Sequence, residues 1–357
     1  MKVWILQTGE PTHLDDHELR PMRAMNLSDS LIKKGHDVTL WTSAFYHTTK
    51  EHRSEEFKKI KINDRLEIRL IPSMGYQENI SFRRILDHFQ LALNLQLLLN
   101  KEDEVPDVAV VGYPPIETAY VMVKWLKRFK IPVVIDIKDL WPELFVELSP
   151  KPIRPLIRFF LYPYFLISKK TIKNATSITS MSKSFLKSSR KLSKREVSKK
   201  DRVFPLTSPI KTCSKESLLK AKLWWEKMGV DDKNKKNRFV FIGTMNSAFD
   251  FKPVYHAMKE AITKKQKFEF ILCGQGPKYN YLSNMMNEFE GILFPGWIDR
   301  PKIEVLSSLS RASLAPYKNI NNFKNNIPNK ILDSLALGLP IVTGLSGEVK
   351  NLIDQYN

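Results

Sequence analysis

The stretch N-I-P-N-K-I-L-D-S-L-A-L-G-L-P, residues 326–340, lies between two short apolar runs, Ala312–Ala315 and Ile341–Thr343. Pro328 cannot continue a preceding helix and Asn329 is a good cap, so the pattern predicts a helix beginning at Lys330. Ile331, Leu332 and Leu335 give that helix an apolar face. Gly338 supplies its stop, and Pro340 leads directly into the next strand. Strand, helix and strand in immediate succession is the repeating unit of an α/β sheet.

The same rhythm extends outward in both directions. Further strands are predicted at Val3–Leu6, Val38–Trp41, Ile68–Ile71, Val108–Val111, Val133–Ile137 and Ser177–Ser180. Beyond these come Phe239–Ile242, Phe268–Cys273 and Gly291–Phe294. These runs of Val, Ile and Leu do not alternate with polar residues, which suits strands covered on both faces. Helical patterns such as Met22–Lys34 separate them. The reading is two Rossmann-like, doubly wound parallel-sheet domains. Leu206–Asn237 interrupts the rhythm, and the connection is placed near Leu206–Thr212, giving domains over 1–207 and 208–357.

Composition narrows the partners. The chain has 357 residues, and 57 Lys and Arg against 38 Asp and Glu leave a formal charge of +19. Such a charge attracts nucleic acid, anionic membrane or phosphorylated small molecules. No zinc-finger spacing or aromatic RNA-binding signature accompanies it, so nucleic acid is not the expected partner. Cys213 and Cys273 form no framework and fit a reducing cytosol. The opening M-K-V-W-I-L-Q-T-G reads as a strand rather than a signal peptide, and no apolar run is long enough to span a bilayer.

Two segments stand apart from the α/β pattern. Phe82–Asn100 is a leucine-rich amphipathic helix. Ile153–Ile167 is aromatic and apolar, bracketed by Arg154, Arg158, Lys169 and Lys170, and a basic cluster follows at Lys183–Lys200. Two readings stay open: a helix lying in an anionic membrane interface, or a core helix followed by a solvated basic one.

In open α/β sheets ligands bind beyond the C-terminal ends of strands, and between two such domains the crevice is the default site. Lys330 and Asp333 share one face of the first turn of their helix. That end carries partial positive charge, a natural seat for a diphosphate. Lys330 adds a full charge there, and Asp333 offers two oxygens to a ribose. The plainer reading is a first-turn acid beside a solvated lysine. Gly243 and Thr244 follow a strand and let phosphate approach backbone amides. Gly274 and Gly276 permit close approach of a flat base, which Gly296 and Trp297 border. In the first half, Lys138, Asp139 and Glu143 end a strand. Asp139 is the candidate for touching the transferred sugar or an acceptor hydroxyl, with helix capping as the alternative. The long first loop holds Gly9, Glu10, Arg20 and Arg23. His13, Asp15, Asp16 and His17 match no metal cage and read as a polar loop. No nucleophile elbow, Walker loop or dinucleotide fingerprint is present, which removes support for hydrolase, kinase and dehydrogenase readings.

At these residues the sequence resembles family 4 of the glycosyltransferases, which has the GT-B fold. The motifs are G-H-D-V-T-L-W-T, D-L-W-P-E, F-I-G-T-M, I-L-C-G-Q-G-P, F-P-G-W-I-D, A-P-Y and P-N-K-I-L-D-S-L-A-L-G-L-P-I-V. D-L-W-P-E and P-N-K-x-x-D are similar to the bacterial branch that builds O-antigen and capsule repeats. The resemblance implies two domains facing across a cleft. The first would lie on the acceptor side, with Arg20, Arg23, Lys138 and Glu143 as candidates, and the second would hold a UDP- or GDP-sugar. It implies transfer of a hexose, N-acetylated or deoxy in some members, to a lipid-linked saccharide. Anomeric configuration would be retained, without a bound metal or other cofactor. The catalytic candidates are then Asp139, Lys330 and Asp333; Gly9 and Lys252 join the donor-binding set.

Departures are visible too. Asp333 takes the second place of the family's Glu-x7-Glu and Asn325 the first, while Lys138-Asp139 stands where relatives often have His-Asp. The sequence ends before the family's usual final strand and helix. The expected place of work is the cytoplasm, at the inner face of the membrane. A GT-B epimerase, or a shortened nucleotide-sugar-binding protein without catalysis, is the alternative.

Overall fold

The V-W-I-L run of Lys2–Leu6 (β1) is buried along its whole length, so it needs cover on both faces. The computed structural model, which describes residues 1–15, 21–78, 81–206, 213–233 and 237–356, places it inside an eight-stranded sheet. Its companions in chain order are β2 (Asp37–Ser43), β5 (Lys58–Asn63), β6 (Leu66–Ile71), β7 (Val108–Tyr113), β8 (Val133–Ile137), β9 (Ser177–Ser180) and β10 (Arg202–Val203). A small antiparallel pair, β3 (Phe45–Tyr46) and β4 (Glu51–His52), stands apart from it. The order is β10-β9-β8-β7-β1-β2-β6-β5, parallel except where β5 runs against β6. Chain direction across the sheet reverses between β1 and β7, which makes their C-terminal ends a switch point.

The chain divides into two units, Met1–Pro205 and Leu206–Asn357. The second unit has a five-stranded parallel sheet of β11 (Arg238–Ile242), β12 (Glu269–Cys273), β13 (Ile292–Gly296), β14 (Ala312–Leu314) and β15 (Ile341–Val342). Their order is β13-β12-β11-β14-β15, with the switch point between β11 and β14. Residues alternate across β11: Phe241 packs with Phe249 and Phe251 on one face, while Val240 packs with Trp225 and Ile271 on the other. Both faces are therefore dry, as the unbroken apolar runs require. The part of the expected connection from residue 207 to 212 lies outside the described residues.

The sequence pattern predicts no strand at β3, β4 or β10, and three further elements differ from its reading. Lys58–Asn63, K-K-I-K-I-N, is a strand, hidden in sequence because it is the sheet edge and shows lysines to water. Ile153–Ile167 is not one helix but two, Arg154–Phe160 and Tyr162–Asn174. Pro163 lacks the amide that would have carried the first helix onward. The helix after Pro328 starts at Asn329, with Pro328 itself in the cap position and no capping side chain. Asn329 is thus inside the first turn, and proline serves as the stop because its φ of −64° already suits that place.

Candidate functional site

In the second unit the helix Asn329–Ala336 presents its N-terminus at the C-terminal end of β11. Lys330 is buried, and its ammonium donates to the carbonyl of Ile242. The same nitrogen lies 4.0 Å from the centre of the Phe241 ring and 5.4 Å from that of Phe249. Burial pulls the Lys330 pKa down to about 7, against the smaller upward pull of Asp333 and Cys273. Lysine at this depth is a group waiting for more negative charge than the protein itself supplies.

Asp333 stands one turn further along. Burial first, and the Asp333 carboxylate second, push the pKa of the Tyr317 hydroxyl up, while the backbone amide of Lys330 donates to that hydroxyl. Tyr317 also packs its ring 4.5 Å from Phe249. Ser334, on the buried side, bonds Ser313 of β14 at 2.8 Å and the Lys330 carbonyl at 2.8 Å. That pair locks the helix onto the sheet, and with it the direction in which Lys330 and Asp333 project. Tyr317 was visible in the A-P-Y motif, yet only the fold shows that it meets the helix start.

The glycine loops have a more structural reason than the sequence suggested. A Cβ on Gly243, whose φ is +143°, would strike the Lys330 ammonium. One on Gly274 (φ +133°) would strike the Gly243 carbonyl, and one on Gly276 (φ +139°) would lie 2.6 Å from the Met245 carbonyl oxygen. These two therefore let the loops after β11 and β12 lie on each other, joined by Gly243 N–Cys273 O at 3.0 Å and Met245 N–Gln275 O at 2.8 Å. Thr244 is exposed at the loop tip. Gly296 has a φ of +78° at the end of β13, and Trp297 beside it is 68% exposed. An exposed indole at a strand end is a flat surface open to a ligand. Lys252 is exposed at the first turn of the helix Lys252–Thr263.

In the first unit the same strand ends carry a second cluster. Glu10 is buried and takes the Lys138 ammonium on one oxygen and the Ala24 amide, at 2.8 Å, on the other. Its charge thus sits at the start of the helix Arg23–Lys33, where negative charge is favoured. Arg23 is committed elsewhere: it grips Asp136 of β8 through Nε at 2.8 Å and Nη2 at 2.6 Å, and Nη1 donates to the Phe204 carbonyl. Desolvation works to raise the Asp136 pKa, but the Arg23 hydrogen bonds, the Lys138 charge and Thr179 hold it below the usual carboxylate range. Arg23 is accordingly a clamp between β8 and the end of β10 rather than a residue reaching outward. Glu143 pairs with Arg158. Asp139 is partly buried in the loop after β8, and Gly9 faces open space with no atom near a built Cβ.

Of the polar first loop, Asp15 makes a buried two-point pair with Arg53, and His13 meets Asp29 at 2.8 Å. Among the described residues no group of three or more His, Cys, Asp or Glu is arranged to hold a metal ion. Arg20, Asp16 and His17 lie outside the described residues.

With this geometry in hand, the likeness to solved structures is decisive for architecture. Sucrose-phosphate synthase from Thermosynechococcus elongatus superposes with a TM-score of 0.63 at 13% identity, over 98% of this chain and 82% of that one. The fold is GT-B. WaaG, a glycosyltransferase involved in lipopolysaccharide biosynthesis, shares this GT-B fold at a TM-score of 0.57 and 13% identity, over 99% and 84% of the two chains. HepE from Anabaena, solved in complex with UDP-glucose, does so at 0.56 and 13% identity, over 99% and 82%. Residues 236–357 match the family described as Glycosyl transferases group 1. No curated protein matches the sequence. Domain match and GT-B fold together support a glycosyltransferase.

Proposed function

We propose that the protein is a retaining glycosyltransferase of family 4, moving a hexose from a UDP- or GDP-sugar to a lipid-linked saccharide in bacterial surface polysaccharide assembly, of the O-antigen or capsule kind. The observation that carries this reading is the buried Lys330 ammonium under the Gly243 loop, with Asp333 one turn away, inside the segment that matches Glycosyl transferases group 1. A diphosphate seated at this helix start meets the helix dipole and a lysine whose charge is otherwise poorly solvated. Asp333 accepts from the ribose hydroxyls. The protein then stabilises the leaving diphosphate as its bond to the sugar breaks, which is where added positive charge lowers the barrier. HepE, of the same fold, was solved with UDP-glucose, which supports this choice of ligand.

On the acceptor side, Asp139 and Lys138 follow β8, with Glu10 orienting Lys138 from beneath. Contact with an anionic membrane is supported by the helix Arg154–Phe160, in which no residue is buried. Phe159 is 74% and Phe160 66% exposed, beside Arg154, Arg158, Lys169 and Lys170. Such exposure supports an interfacial helix over a core one. The basic cluster that follows is more structural: Arg190 and Arg195 both pair with the buried Asp201, and Phe185 and Leu186 are packed inward. No described helix is long and apolar enough to cross a membrane.

The test is transfer itself. The protein is incubated with a panel of UDP- and GDP-sugars and a lipid-linked saccharide, and the product is followed by mass and by the anomeric configuration of the new bond. A retained configuration in an acceptor-dependent product is expected. Conversion of donor without any acceptor identifies an epimerase instead.

A further inference from the structure

A cavity of ≈ 490 Å³ opens in the first unit, walled by Phe45, Lys50, His52, Tyr76, Ser81 and Arg83 among others. Its walls are the segment after β2, which includes the β3–β4 pair, and the segment after β6. Both strands run parallel to β1, so the cavity stands at the ligand-binding edge of the sheet, the edge that also carries Glu10, Lys138 and Asp139. It is tied to the D-L-W-P-E loop through rings: Tyr76 meets His88 at 6.3 Å, and His88 stacks on Trp141 at 6.0 Å.

The wall carries Lys50 and Arg83 against one acid, Glu78, and Arg83 donates from Nε to the Gly75 carbonyl at 3.1 Å; further charge stands behind it. The Lys50 ammonium lies 4.5 Å from the centre of the Tyr76 ring and 3.3 Å from His47 Nδ1. Arg84 stands over Tyr76 at 5.4 Å. Burial first, then the charges of Lys50 and Arg84, push the His47 pKa down to about 4. Asp87 answers part of this charge, but it is buried and receives the Gly75 amide at 2.7 Å. The wall is closely packed at Gly75 (φ +69°), where a Cβ would collide with Phe45 and His52.

The helix Phe82–Leu99 starts at this mouth, capped by Ser81, which accepts from the Arg84 amide at 3.2 Å. Phe82, Leu86, Phe89, Leu93 and Leu97 are all exposed, and their spacing puts them on one stripe. Phe89 meets Tyr164 at 6.2 Å, so the stripe runs on toward the exposed aromatic surface around Phe159. A basic pocket at the head of an exposed apolar stripe matches a ligand that is anionic at one end and hydrocarbon at the other.

We propose that this pocket binds the phosphate or diphosphate ester of the lipid-linked acceptor, with the phosphate between Lys50, His52 and Arg83 and the lipid chain along the stripe from Phe82 to Leu97. It rests on the transferase reading above and gives its acceptor an address. The pocket holds the charge, the stripe holds the hydrocarbon, and the saccharide beyond the phosphate is left facing the loop of Lys138 and Asp139.

The experiment uses the full chain with farnesyl diphosphate, farnesol and inorganic diphosphate as probes, by titration calorimetry. Farnesyl diphosphate is expected to bind saturably, and farnesol and inorganic diphosphate each at least about tenfold more weakly. Lys50→Met and Arg83→Gln each weaken farnesyl diphosphate by roughly tenfold and leave UDP affinity unchanged in proteins that remain folded. Absence of binding, or binding indifferent to both substitutions, overturns the proposal. So does inorganic diphosphate binding as tightly as the lipid ester, which marks a site for free phosphate. A fall in UDP affinity in these variants overturns it as well, since the pocket is then not separate from the nucleotide site. UDP affinity of the unaltered protein, read in the same samples, reports on the nucleotide-sugar reading by itself, so the two ideas fail separately.

Discussion

The ammonium of Lys330 stands 4.0 Å from the centre of the Phe241 ring, directly under the glycine loop that follows the same strand. An aromatic face and one carbonyl are partial substitutes for water, and the depressed pKa of about 7 shows how partial they are. A nucleotide diphosphate arriving there raises that pKa again. Binding of a UDP- or GDP-sugar, which has no phosphate titrating near neutrality, is therefore expected to take up a proton above pH 7, and affinity to weaken as pH rises toward 9. Calorimetry in two buffers of different ionisation enthalpy reads the uptake directly; identical apparent enthalpies in both would count against it.

The same lysine leaves a mark on stability. From pH 7 to about 10.5 the unfolded chain holds a proton on this residue that the folded chain has released, so stability from this group rises with pH across that window. Lys330→Met is expected to abolish that slope without lowering stability at pH 7, since a buried charge is replaced by an apolar side chain of similar length. Donor affinity falls by tenfold or more, about 1.4 kcal/mol. Denaturation curves at pH 7 and 9.5, with and without the substitution, check both halves.

Gly243 and Gly9 invite a direct contrast. Gly243→Ala forces a side chain into a φ of +143° and against the lysine, and is expected to cost about 1–3 kcal/mol and most donor binding. Gly9→Ala meets no atom within 4 Å and leaves stability unchanged. Melting temperatures of the two variants, side by side, separate the positions.

Arg23 and Asp136 make a prediction about folding rather than reaction. Arg23→Ala strands a buried carboxylate and is expected to cost about 3–5 kcal/mol, whereas Arg23→Met with Asp136→Asn costs less than the two single changes summed. The Asp136 pKa is depressed, so its contribution is present above the unfolded value near 4 and is lost as pH falls below it. A urea-denaturation series from pH 7 to pH 3 follows this loss, which Asp136→Asn removes.

Membrane contact predicts cosedimentation with vesicles containing anionic lipid and little with neutral ones. Phe159→Ser with Phe160→Ser reduces it several-fold while the melting temperature stays put, because both rings are exposed. Equal sedimentation of the double variant would remove this helix from the account.

Strands were legible where burial on both faces demanded unbroken apolar runs, as in V-W-I-L and F-I-L-C. Lys58–Asn63 was not, because an edge strand shows its lysines to water and reads as polar loop. The helix start at Lys330 was legible to within one residue from Pro328 and Gly338. Its chemistry was less so: no spacing rule shows that the lysine turns inward beneath Gly243, or that Tyr317 closes over its amide. Arg23 misled for the same reason. Its partner Asp136 is 113 residues away in the chain, and only the pairing of β1, β7 and β8 brings that strand close. The basic pocket of Lys50 and Arg83 had no sequence signal at all, being assembled by two separate strand-end segments.

The most direct test of the central claim, that the helix start at Lys330 and Asp333 holds a nucleotide sugar, is titration of the full chain with UDP and GDP and with their sugars. Saturable binding of one nucleotide series is expected, weakened at least about tenfold by Lys330→Ala and by Asp333→Ala in proteins that remain folded. No binding of either series at millimolar concentration, or binding that ignores both substitutions, would contradict it.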